Sequence, residues 1–296
     1  MPSIVRQRIV APKAAVRPSL NGSIASRFVP VSQLEDEPVH LLLYGVNRTG
    51  KTTLACQFPK PLGLISLESV KSGGAKSIKK IAGVEHVVLR SSADVEQLGR
   101  EFLASCPFQT VVVDSATSLN EIILAEVCGW SQTAELLTFN KVHKDQYTEV
   151  SERLRRVLRP YVDLDRHVVI CANEKDHNPS EDQAVSRRRK RHEESLFGAA
   201  MGQGAFRWLA DSMDVCQLYF DKETKTERTV SKIGKEEVVH EEEVETGRIV
   251  RRLRTQLHPN YLAGLRSEHR NVPEFVQADS PEEMYAKFMS VVKGTK

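Results

Sequence analysis

Residues Gly45, Val46, Asn47, Arg48, Thr49, Gly50, Lys51 and Thr52 spell GVNRTGKT, a glycine-spaced loop ending in a lysine and a hydroxyl. In the pattern GxxxxGK[ST], the glycines allow a tight turn whose backbone N–H groups surround phosphate oxygens. Lys51 supplies a point charge for the β- and γ-phosphates, Thr52 a hydroxyl ligand for Mg²⁺, and Thr53 a second hydroxyl positioned for the α-phosphate. The chemistry this implies is the binding of ATP with Mg²⁺.

Hydrolysis needs more than a phosphate cradle. Asp114 ends the run TVVVD, where an acid at the carboxyl edge of a sheet projects towards the Mg²⁺ hydration shell. An aspartate capping the next helix is the plainer alternative. Glu68 follows GLISL and is the candidate for orienting or deprotonating water, provided its strand lies beside the strand that leads into the phosphate loop. Asn173 follows VVICA, where its amide could sense the γ-phosphate through one hydrogen bond. Lys51, Glu68, Asp114 and Asn173 form the candidate catalytic set, with Thr52 and Asp114 directed at Mg²⁺.

Strands must deliver these residues to one edge. Residues 39–44, VHLLLY, read as a central strand covered on both faces. A helix is expected at 52–58, closed by Pro59 and Pro61, then strands at 62–67 and 84–89, a helix at 93–103 and a strand at 110–113. Helices at 121–127 and 144–164 and a strand at 167–172 continue the alternation. Such a series predicts an α/β fold with a mainly parallel sheet flanked by helices. After Asn173 a polar loop runs to about residue 204, followed by expected antiparallel strands at 215–220, 228–232 and 248–257, with turns near Gly234 and Gly247, and a last helix at 281–292.

Strand ends bearing in turn the phosphate loop, Glu68, Asp114 and Asn173 resemble the RecA-like ATPases, and more closely the short phage-encoded RecA-like ATP-binding proteins. The likeness rests on GVNRTGKTT, LISLES and TVVVDS and covers residues 39–173, with weaker similarity in the later strands and in RLRTQLHPNYLAGLR. It implies a RecA-like P-loop NTPase fold and ATP-dependent work on single-stranded DNA in recombination, annealing or phage replication. It also implies Glu68 as the water-activating acid, assembly into a ring or filament, and cooperation with a single-strand binding protein. One departure is ANEK after the fifth strand, which lacks the glutamine that RecA uses as a γ-phosphate sensor.

The net charge of +3 is unevenly spread. Arg187, Arg188, Arg189, Lys190 and Arg191 stand where RecA-like proteins carry DNA contacts, and such a run would make binding strongly salt-dependent. Phe197, Phe206 and Trp208 follow closely, for base stacking or for helix packing. The first 34 residues hold five cations and no acid, and their Phe28 suits either disorder or docking on a neighbouring subunit. Sites of this class often take a cation from the next subunit; Arg251, Arg252 and Arg254 are candidates.

With 40% hydrophobic and 27% charged residues, the chain divides into a flexible basic arm at 1–37, an ATPase core at 38–260 with its basic loop at about 174–204, and a C-terminal helical extension at 261–296. No apolar run approaches the roughly 20 residues that span a bilayer, so no membrane partner and a cytoplasmic location, in a bacterial host if phage-encoded, are expected. The five cysteines form no CxxC pair, and His192, Glu193 and Glu194 have no second ligand group, so no transition metal is assigned. A nucleotide-gated adaptor for a replication or packaging protein, or a P-loop small-molecule kinase, are the alternatives.

Overall fold

The computed structural model describes residues 38–67, 78–129, 143–176, 197–233, 236–256, 258, 260–265 and 272–294, with the backbone alone for 224–245. The arm at 1–37, Glu68 and the cations at 187–191 lie outside the described residues.

Leu41, Leu42, Leu43 and Tyr44 are all fully buried, so their strand needs cover on both faces and strand partners on both sides. That strand, β1 (His40–Gly45), runs parallel between β5 (His167–Asp176) and β7 (Asp214–Ile233). With β2 (Leu62–Ser66), β3 (Val84–Val88), β4 (Thr110–Asp114), β8 (Glu236–Arg254) and β9 (Phe275–Ala278), the sheet order is β3-β2-β4-β5-β1-β7-β8-β9. The short β6 (Phe197–Ala199) pairs antiparallel with β5. The pairs from β3 through to β7 are parallel, whereas β7, β8 and β9 are mutually antiparallel. The fold is a mainly parallel α/β sheet flanked by helices, with late antiparallel strands.

Alternation along each strand sends side chains to two different cores. Leu42, Tyr44, Val111, Val113, Val168 and Ile170 pack against α2 (Ser92–Ala104), α3 (Ala116–Val127), α4 (Lys144–Val162) and α5 (Gln203–Ser212). Leu41, Leu43, Val112, Val169 and Leu253 face α1 (Lys51–Ala55) and α6 (Pro281–Lys293), where Phe58 stacks at a tilt on Tyr285, 5.0 Å between centroids, and meets Phe288. Phe206 is buried in the first core, so of its two expected roles it takes helix packing.

Three differences from the sequence reading have local causes. The first helix ends at Ala55, and Cys56 to Phe58 continue only as hydrogen-bonded turns towards Pro59. The expected strands at 215–220 and 228–232 are two stretches of one 20-residue strand, β7, whose ladder with β8 continues through the charged stretch between them. Gly247 is no turn either; it lies in β8 at φ 78°, opposite the register shift between Lys222 and Thr224, where a bulge needs the left-handed conformation.

In the first core, the Tyr161 hydroxyl donates to the Val95 carbonyl at 2.7 Å and so ties α4 to α2. Removing it with Tyr161→Phe should cost about 1 kcal/mol, read as a lowered urea midpoint with unchanged slope.

Candidate nucleotide site

The loop that follows β1 is shaped by two glycines. A Cβ at Gly45 would lie 2.1 Å from the Leu218 carbonyl oxygen of β7, so no larger residue fits there without moving that strand. Gly50 has φ 95°, a conformation that side chains with a Cβ rarely adopt. Between them Val46, Asn47 and Arg48 form an exposed tip, while Thr49 turns inward and its hydroxyl donates to the Val46 carbonyl at 2.9 Å.

Lys51 is buried, and its ammonium donates to the carbonyls of Gly45 and Val46 at 3.0 Å each. A cation held inside a loop of backbone dipoles matches the charge of a phosphate chain. Next to it, the Thr52 hydroxyl donates to Asp114 Oδ2 at 2.7 Å, joining residues 62 positions apart. Ser115 takes the capping position of α3, its hydroxyl accepting from the Ser118 N–H, so Asp114 is not the cap and its carboxylate is left for Thr52. Burial pushes the Asp114 carboxyl up from its ordinary range, against the opposing pull of the Thr52 hydroxyl and the Lys51 charge.

Asn173 is the register partner of Gly45, and alternation puts its side chain on the α1 side of the sheet with that of Cys171. Its backbone N–H donates to the Thr117 hydroxyl at 3.0 Å. The next residue, Glu174, alternates to the other side, where it accepts from Gln217 at 2.6 Å. The strand before Glu68 does not lie beside β1, because β4 and β5 intervene. It neighbours β4 instead, and the Leu67 N–H donates to the Asp114 carbonyl at 2.8 Å, so the chain reaches Glu68 from beside Asp114.

The three late arginines separate by strand parity. Arg252 pairs with Asp221 and Gln277 and lies over the Phe275 ring. Arg254 bonds Glu274 at 3.0 Å and Gln217 at 3.2 Å. Arg251 projects from the opposite face of β8, the face of Leu253, towards the phosphate loop of its own chain. The register of β8, not its composition, singles it out.

Cys56, Cys171 and Cys216 are buried and all five cysteines are free; burial pushes the Cys56 thiol up to about 12. Among the described residues no cluster of ligands for a metal ion occurs, and no helix is long and apolar enough to cross a membrane.

The sequence pattern of the AAA domain family matches residues 37–264, from the start of β1 past the end of β8. The chain belongs to the AAA domain family. No curated protein matches it. This AAA domain is of the P-loop ATPase type, and domains of this type generally use ATP and Mg²⁺. The family match ends before β9 and α6, although α6 supplies Met284 and Phe288 to the core beneath α1.

Proposed function

We propose that this AAA domain binds ATP with Mg²⁺ at residues 45–53, hydrolyses it, and couples hydrolysis to single-stranded DNA in phage-type recombination, annealing or replication. The observation that carries the nucleotide part is the convergence of buried Lys51 with half-buried Thr52 and Asp114 in one corner at the carboxyl edge of the sheet. The residues fit the group. A buried ammonium faces backbone carbonyls, ready to exchange them for phosphate oxygens, and a hydroxyl and a carboxylate stand together where a hard cation takes oxygen ligands. Bound Mg²⁺ would neutralise phosphate charge there.

The chain's own residues supply the rest. Lys51 stabilises negative charge on the phosphates, and Asp114 holds the Thr52 hydroxyl in orientation. Asn173, the register partner of Gly45, has the role of sensing the terminal phosphate, and Glu68, reached from beside Asp114 and not from a strand next to β1, has the role of water-activating acid that the family likeness implies.

The DNA part rests on placement. The segment bearing Arg187 to Arg191 leaves the sheet at Asp176 and returns at Phe197, and these two residues are direct register partners beyond Asn173. Both attachment points therefore sit on the edge that carries the phosphate loop. Assembly of several copies on one DNA strand, and contact with a single-strand binding protein, belong to the same reading.

Steady-state hydrolysis with and without single-stranded DNA tests it. The expected result is stimulation by DNA, with binding that falls with salt at a log–log slope of about −0.7 per phosphate contacted. Replacing residues 187–191 by alanine should abolish the stimulation and flatten that slope. Equal hydrolysis with and without DNA, together with no DNA binding at low salt, would contradict the DNA reading and favour a nucleotide-gated adaptor.

A further inference from the structure

We infer that Arg251 is a phosphate-binding residue acting in cis: its guanidinium contacts the phosphate chain of the nucleotide held by the Gly45–Thr52 loop of the same chain. This rests on the nucleotide reading proposed above and adds a residue to it.

Three observations converge. The first is position. A Cβ placed on Gly50 would meet Nη2, Cζ and Nε of Arg251 at 3.5, 3.6 and 3.7 Å, so the whole guanidinium lies along the residue immediately before Lys51. The sheet order explains this reach: β7 lies against β1, touching Gly45 through the Leu218 carbonyl, and β8 follows as the next strand.

The second is the absence of a competing anion among the described residues. Strand alternation sends Arg252 and Arg254 to the far side, where Asp221 and Glu274 neutralise them. Arg251 makes no ion pair there, and its Nε is buried without any hydrogen-bond acceptor. A desolvated donor on a cation is costly until an anion satisfies it, and the planar guanidinium fork matches phosphate oxygens.

The third is the support of the side chain. Phe220 is the direct cross-strand partner of Arg251, and the guanidinium lies 5.4 Å from the ring centroid. Phe220 is itself 49% exposed, so the ring orients the arginine without closing the site around it.

The test is equilibrium binding of a fluorescent ATP analogue with Mg²⁺ to the full chain, alongside thermal melting with and without ATP. Wild type, Arg251→Ala, Arg251→Lys and Lys51→Ala are compared. Arg251→Ala should weaken binding about tenfold or more, with Arg251→Lys between it and wild type. The apo melting temperature of Arg251→Ala should not fall, while the rise induced by ATP shrinks. A packing role would give the reverse, a lowered apo melt with an unchanged rise.

Mixing Arg251→Ala with Lys51→Ala protein separates cis from trans action. No recovery of hydrolysis is expected, because neither chain carries a complete site; recovery would show that Arg251 serves a neighbour and overturn the inference. Wild-type affinity in Arg251→Ala, with binding lost in Lys51→Ala, overturns this inference and leaves the nucleotide reading intact. Wild-type protein that does not bind ATP overturns both.

Discussion

Lys51→Ala should lower ATP hydrolysis by roughly 100- to 1000-fold, the usual consequence of removing one preorganised donor from developing phosphate charge. The magnitude follows from burial. Lys51 is only 8% exposed and its ammonium donates to two loop carbonyls, so water cannot easily take over its role. Folding should survive, because the variant removes a buried charge without opening the apolar cores on either side of β1. Far-ultraviolet circular dichroism with steady-state hydrolysis checks both halves. Near-wild-type turnover would mean that the loop is not the reacting site.

Asp114→Asn should affect activity and stability in opposite directions. Hydrolysis should fall by about 100-fold, since a neutral amide cannot supply the carboxylate charge that the metal-directed corner requires. Stability should not fall. Burial raises the Asp114 carboxyl above its unfolded value, so the folded protein holds that proton more tightly than the unfolded chain. The contribution of this group is therefore most favourable below the unfolded value, declines as pH rises towards the folded value, and is least favourable above it. Asparagine removes the titration while its carbonyl oxygen can still accept from the Thr52 hydroxyl. The variant should melt no lower than wild type near neutral pH, with the difference between them shrinking as the medium is acidified towards about pH 4. A clear loss of stability at neutral pH would show that the ionised carboxylate holds the corner together.

The parts of the site that could be read from sequence are those set by short local patterns. GVNRTGKT states its own loop conformation, because Gly50 takes a left-handed φ and Gly45 admits no Cβ beside Leu218. The four β-formers before Asp114 likewise declare a buried strand with an acid at its end. What remained hidden depends on strand order and register. Nothing in GLISL reveals that β2 lies beside β4, with two strands between it and β1. Arg251, Arg252 and Arg254 look alike in sequence, and only pairing with Phe220 rather than Tyr219 puts the first on the loop side.

The long β7–β8 ladder is hidden in the sequence for a related reason. Its DKETKTE stretch has no apolar face, so a period of two carries no hydrophobic signal, although backbone pairing continues along it. β9 carries little sequence signal because FVQA is short, and its place at the sheet edge comes from pairing with residues 251–254.

Calorimetric titration of ATP with Mg²⁺ into the wild-type chain and into Lys51→Ala is the most direct measurement. Saturable binding at one site per chain, weakened at least about tenfold in the variant, is the expected result. No saturable binding by wild type, or equal affinity in the two proteins, would show that the loop at Gly45–Thr52 is not a nucleotide site.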